Sequence, residues 1–440
     1  MEEAAQPTID VGRLIDERPM SGLQVLVAVL CAAALFIDGY DIQVMALAVP
    51  SLATGWSLPP SSFGLALSAV VIGISFGSGL LAPLGDRFGR RTCLIAAMLM
   101  ISAATACTSL AATPGQFVVW RFLTGVALGF SVPNCAALTS EYAPLKSRAL
   151  AMTLMNAAVG LGAFSAGFIA PPALAAWGWR GAFLLGGAAP LVIALLLLAT
   201  VPESLKFLVT RRPGDPRIRA VLARIAPEID AARVVPAAVS GVPLRRSVLE
   251  LLSPAFRWRT LLMWTIVALN LFTLYVLISW LPTLLGKAGW APSAALQGAV
   301  LIQAGGVAGG IGLSFLLDRG RTIPALLGAF LVTAASLLLF QTTGSHLVWI
   351  VLLLLVGGGV SGCQLSLNAL SAAYYPPSIK ATGVAWVGVI GGFGSMLGPL
   401  AGAAIIDRGF APAHILAMLA LPALLCAGCV LAMRKDWQAH

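Results

Sequence analysis

Twelve stretches of about twenty or more mostly apolar residues recur along the chain, at 23–48, 61–84, 92–112, 116–138, 149–171, 181–201, 260–284, 294–317, 323–341, 347–370, 381–406 and 411–433. A helix of about 20 residues crosses a hydrocarbon core of about 30 Å. Repeated twelve times, that length fits no soluble globule. Composition agrees: 59% of residues are hydrophobic and 10% charged, against about 45–50% and about 25% in soluble domains. The sequence therefore predicts an all-α polytopic membrane protein embedded in a lipid bilayer.

Of the 27 Lys and Arg residues, 23 fall in segments that alternate along the chain and would share one side of the membrane. Arg180, Lys287 and Arg408 fall on the other side, and Arg121 lies inside a span. Cationic loops face the cytoplasm. That places both termini and the long 202–259 connector inside, with eleven cations between Lys206 and Arg259. The net charge of +10 thus sets topology and implies no nucleic-acid partner. Residues 1–22 are polar and acidic, without the basic start and cleavage site of a signal peptide, and are expected to form a cytoplasmic tail. Residues 434–440 are expected to form another. The seven cysteines fall almost entirely in apolar spans at irregular spacing. They read as small packing residues, Cys426 and Cys429 included.

The two halves resemble each other at one offset. Asp86-Arg87 recurs as Asp318-Arg319, 232 residues later, and Tyr142, Pro144, Arg148 and Ala149 recur as Tyr374, Pro376, Lys380 and Ala381. The same shift carries Gly125 onto Gly357. The expected organisation is a six-helix bundle over 23–201, a connector with short amphipathic pieces and a Ser247/Glu250 capping box, and a parallel second bundle over 260–433. Parallel repeats with substrate held near the midplane are the design of alternating-access carriers.

Asp38 and Asp41 break the first apolar run (ALFIDGYDIQVMAL). Charged residues inside a span are costly and mark function. Three apart on a helix, the two share a face with Cβ atoms about 5–6 Å apart. Desolvation and mutual repulsion both favour the protonated form of at least one, which suits a group that carries protons. Under the 232-residue shift the pair lands on uncharged Asn270 and Thr273. Arg121 is the one cation deep in a span. It would tune the acids or meet an anionic substrate, while Gly125 and Gly129 clear a face for a neighbouring helix. Two acids and one base sum to −1, so a single proton neutralises the set. The alternative is that both acids are permanently paired with Arg121 and a hydroxyl and serve only as packing glue.

GDRFGRR (85–91) forms the turn between spans two and three. Gly89 permits the turn, and Asp86 could sit at a neighbouring helix N-terminus, with Arg87, Arg90 and Arg91 beside it as a gate. Polar and aromatic residues elsewhere in the spans are candidates for lining a cavity for a flat ring: Tyr40, Asn134, Asn270, Tyr275, Trp280, Gln303, Gln364, Asn368 and Trp386. Each alone is more often an interhelical hydrogen bond or an interface anchor. No nucleophile–base cluster, metal-ligand set or P-loop appears, so neither an enzyme nor a cofactor is expected.

GDRFGRR, RFLTGVALG (121–129) and the paired bundles with a basic connector resemble the major facilitator superfamily. DGYD (38–41), PNCAALTSEYAP (133–144), PESLKFL (202–208) and KATGVAW (380–386) are similar, more narrowly, to its aromatic acid:proton symporters. That resemblance covers nearly the whole chain. It implies a monomeric importer of benzoate- or hydroxybenzoate-type acids with protons in a bacterial inner membrane, part of aromatic catabolism. It also implies that Asp38 and Asp41 are essential acids, Asp86 and Arg90 the loop gate, and Arg121 and Glu141 supporting charges. Two departures stand out. Ala82 replaces the usual glycine before the loop, and span eleven reads GGFG with Gly392 where members often carry an arginine, which removes a plausible carboxylate partner. Rival expectations are a drug/proton antiporter of the same fold, for which GFIAPP (167–172) is a partial signature, and a membrane sensor of aromatic acids that transports nothing.

Overall fold

A computed structural model describes residues 9–212, 214–227, 229, 234–235, 248–254, 256–342, 344–375 and 379–437. The Ser247 capping box, most of the connector between 228 and 247, Pro376 and the last three residues of the C-terminal tail lie outside the described residues.

The described chain is helical apart from a two-residue parallel pairing of Ile9–Asp10 with Val234–Val235. The spans expected from hydropathy are present as helices: Gly22–Trp56, Pro60–Leu81, Arg90–Ser109, Pro114–Tyr142, Leu145–Thr200, Arg257–Lys287, Pro292–Leu317, Thr322–Leu339, His346–Asn368, Thr382–Asp407 and Pro412–Met433. Leu145–Thr200 holds two of them. A straight helix of that length would run about 84 Å at 1.5 Å per residue, far beyond a bilayer. Gly178, at φ 62° and ψ −170°, breaks the run, and only a residue without a β-carbon takes that conformation without strain. Spans five and six meet there, which brings the total to twelve. Leu150, Leu154, Leu161 and Phe168 of span five remain exposed, as a lipid-facing surface requires.

The internal repeat reappears as repeated backbone contact. A β-carbon on Gly162 of span five would collide with the carbonyl oxygen of Phe36 in span one. One on Gly394 of span eleven would collide with that of Ala268 in span seven. All four positions are related by the 232-residue shift. The same holds where Gly73 of span two meets Phe122 and Gly125 of span four, while Gly305 of span eight meets Leu354 of span ten. Small residues let these helices approach backbone to backbone, and a change as small as one methyl would push them apart.

Packing divides the chain differently from the repeat. One compact unit comprises Met1–Asp41, Gly73–Gly162 and Phe183–Val242; the other comprises Ile42–Ile72, Ala163–Ala182 and Pro243–His440. Within the second unit, segments of spans one, two and five pack against the second half of the sequence. Ser68 Oγ donates to Met396 O at 2.9 Å, and the Ser61 hydroxyl bonds the Asp407 carboxylate. A β-carbon on Gly64 would strike Ala403, and one on Gly167 would strike Val300. The core of this unit gathers Met263, Ile266, Phe330, Leu367 and Val430. In the first unit the connector contributes the helix Arg217–Ile225, which buries Ile218, Val221, Leu222 and Ile225 along one face. This helix is amphipathic, in a different part of the connector from the Ser247/Glu250 piece.

Candidate functional site

The first unit contains the buried charges. Asp41 and Arg121 are 1% and 0% exposed. Arg121 grips Asp41 with both terminal nitrogens, Nη2 to Oδ2 at 2.6 Å and Nη1 to Oδ1 at 3.1 Å. Thr105 Oγ1 of span three donates to the same carboxylate at 3.3 Å. The guanidinium also lies 5.3 Å from the Phe183 ring centroid, an added attraction for a desolvated cation. Such a two-pronged pair is geometrically specific, and breaking either side would strand a buried charge.

Asp38 is treated quite differently. It is 2% exposed, yet neither carboxyl oxygen has a hydrogen-bond partner within 3.5 Å. Ser131 and Cys135 of span four are polar groups beside it, together with Asp41. One acid thus holds the counter-ion, while the other has none and has the Ser131 hydroxyl as its neighbour. Tyr40, between them in sequence, is buried with its hydroxyl unpartnered and its ring against Gly186.

The turn at 85–91 sits in a second charge cluster of the same unit. Arg90 pairs with Asp86 at 2.7 Å and, through Nε, with Glu141 at 2.9 Å, and it lies 5.5 Å from the Phe207 ring centroid. Arg87 rests over Phe88, and Arg91 Nη2 donates to Leu198 O at 2.8 Å. Asp86 lies in the first turn of the short helix Leu84–Phe88 and not at the start of the neighbouring span three, where the sequence suggested it could sit. Its side chain is 70% exposed, and Glu203 takes that role for span three, accepting from Arg91 N at 3.0 Å, Thr92 N at 3.3 Å and Thr92 Oγ1 at 3.2 Å. Sequence reasoning missed Glu203. Its signal was an acid in PESLKFL next to a span end, close in topology to a helix start that lacked an acid of its own. The Glu203 carboxylate abuts Gly89, whose φ of 104° and lack of a β-carbon are both needed there. Asn134 also belongs to this region: its Nδ2 donates to Phe130 O at 2.8 Å and its Oδ1 lies against Gly85.

The second unit holds the other polar candidates. Asn270 Nδ2 donates to Gln364 Oε1 at 2.9 Å and to Val360 O at 3.1 Å, and Gln364 Nε2 donates to Asn368 Oδ1 at 3.2 Å. These amides form a chain that runs from buried Asn270 to exposed Asn368. Trp386 lies 6.0 Å from Trp264 between ring centroids. Tyr275 packs at Gly398, and Gln303 is half-buried on span eight. Trp280 is fully buried, its Nε1 donating to Pro399 O at 2.9 Å and its ring filling the space over Gly402.

Apolar helices of crossing length, a repeated helix scaffold and a buried, partly uncompensated charge cluster define a membrane carrier of solutes. The chain belongs to the Major Facilitator Superfamily, whose family model matches residues 31–399. It is 34% identical to the 4-hydroxybenzoate transporter PcaK of Pseudomonas putida over 95% of this chain and 94% of the relative. It is 33% identical to a gallate transporter of Pseudomonas putida over 96% and 95%. A bacterial homologue of the human lysosomal transporter Spinster, solved in an inward-facing and occupied conformation, superposes with a TM-score of 0.72 at 18% identity, over 95% of this chain and 98% of that one. The chain is thus a transporter, not an enzyme.

Proposed function

We propose that the chain imports a small aromatic carboxylate by proton symport through alternating access, as a monomer in a bacterial inner membrane with both termini cytoplasmic. The named substrates of relatives similar over nearly the full length support the substrate class. The single observation that carries the coupling is Asp38, a buried carboxylate with no counter-ion three residues from one that is fully paired. Asp41 and Arg121 neutralise each other, so the charge of the cluster changes from −1 to zero when Asp38 takes a proton. An isolated carboxylate is expensive to desolvate, so proton loading removes the main cost of enclosing the site. Release on the other side restores it.

Arg121 acts by holding Asp41, and the loop cluster of Asp86, Arg90 and Glu141 acts as a gate made and broken during the cycle, with Arg87 and Arg91 at its edge. Span eleven offers Gly392 instead of a cation. Gln364 and Asn368, held in line by buried Asn270, then supply neutral donors for the substrate, with Tyr275, Gln303 and Trp386 as further lining. Moving an anion inward costs about 2.3 kcal/mol per 100 mV, so one proton makes the cycle electroneutral and two make it electrogenic.

The test is uptake of labelled 4-hydroxybenzoate by vesicles containing the purified protein, with a proton gradient imposed. Accumulation above equilibrium that a protonophore abolishes is the expected result. Equal accumulation without a gradient would refute the proposal.

A further inference from the structure

The second unit contains a cavity of about 470 Å³ that none of the charges above explains. Its walls come from the end of span one, the turn that follows, and the end of span seven, with Pro50, Pro60 and Pro282 among the lining residues. Pro50 and Pro282 are related by the 232-residue shift, so the cavity is built from equivalent points of the repeat. It lies at the C-terminal ends of spans one and seven, which the proposed topology puts opposite the cytoplasmic termini.

Three features distinguish this cavity from an ordinary surface dip. Lys287 lines it and is exposed, no acidic residue is among those lining it, and the repeat-equivalent position in span one is Gly55, so the cation belongs to one half alone. Thr283 also lines it, 5% exposed, with a buried hydroxyl that has no hydrogen-bond partner. Ser57, on the rim, is the one non-glycine residue with positive φ among the described residues, at 53°. It closes the C-terminus of span one, where Leu58 N donates back to Ala53 O at 3.0 Å, and so fixes the rim of the cavity. A mostly apolar wall with a few convergent polar groups is the general form of a small-molecule pocket.

We propose that this cavity is a collecting site for the carboxylate substrate at the entry face, in which Lys287 draws in the anion, Thr283 donates to it and the proline-lined wall receives the ring. The assignment rests on the aromatic carboxylate reading above. A single exposed cation steers and weakly holds an anion without trapping it, which suits a station that must pass its ligand onward.

The experiment compares initial uptake rates of labelled 4-hydroxybenzoate over a concentration series in vesicles carrying wild type, Lys287→Gln, Lys287→Arg or Thr283→Val. Loss of an exposed charge contact should raise KM about threefold with Vmax unchanged. Lys287→Arg should restore the wild-type KM. Thr283→Val should raise KM while leaving thermal stability equal or higher, because an unpartnered buried hydroxyl is replaced by a methyl of similar shape. The Lys287→Gln effect should shrink as salt rises.

Wild-type KM in both Lys287→Gln and Thr283→Val, with uptake intact, would overturn this inference and leave the transport reading standing. An effect of Lys287→Gln seen only when anionic phosphatidylglycerol is present would assign the lysine to a lipid headgroup, and would also overturn it. Failure of the wild type to take up any benzoate or hydroxybenzoate would remove the transport reading and this inference together.

Discussion

The first half of the sequence buries Asp38, Asp41 and Arg121; at the repeat-equivalent positions the second half buries Asn270, Thr273 and Leu353. The helix scaffold around both sets is the same, down to the backbone collisions that Gly162 and Gly394 each avoid. Asn270 is satisfied by Gln364 and Val360, and Leu353 needs no partner. Asp38 is left without a counter-ion. Two copies of one scaffold thus separate the tasks: at these positions the second half buries no charge at all, while the first leaves one carboxylate without a counter-ion. A folding requirement would act on both copies, so the charge in one copy points to work done during transport.

Exchanging first-half residues for their second-half equivalents tests that contrast. The largest effect is expected from Asp38→Asn, the residue found at 270. Uphill uptake under a proton gradient should fall to passive equilibration, while exchange of labelled for unlabelled substrate persists. Retained accumulation would place the coupling proton elsewhere. Next, Arg121→Leu copies position 353 and strands Asp41. Its cost should be about 3–5 kcal/mol, visible as a large drop in melting temperature. Adding Asp41→Thr should restore most of that loss, since removing both partners of a buried pair is far cheaper than removing one.

Smaller effects sharpen the comparison from the scaffold side. Gly162→Ala and Gly394→Ala should each destabilise by about 1–3 kcal/mol, and by similar amounts, because each added methyl meets a carbonyl of the partner helix. Clearly unequal shifts in thermal unfolding would show that the two seams are not equivalent. Smallest is Glu203→Gln, which keeps an acceptor at the start of span three but removes its charge. A loss of about 0.3–1 kcal/mol is expected, read as a modest shift in the same assay.

Much of this was readable in advance. Span positions follow from hydropathy because a bilayer imposes one length on every helix, and the repeat was visible because loops such as Asp86-Arg87 kept their spacing. Asp38, Asp41 and Arg121 stood out because nothing else in those runs was charged. What the sequence could not disclose was partnership. Asp38 and Asp41 look alike on the page, and only the placement of spans three and four decides which one meets Arg121 and Thr105. The role of Glu203 was hidden for the same reason, since its contact with Arg91 and Thr92 spans more than a hundred residues. Trp280 resembled a ring-stacking residue until its indole N–H was found on Pro399.

The connection at Gly178 has a practical corollary. A link this short gives a reporter tag, an epitope or a protease no slack to use. Insertions there should block membrane assembly, and so should insertions into 202–225, where Glu203 and the helix Arg217–Ile225 are already committed to packing.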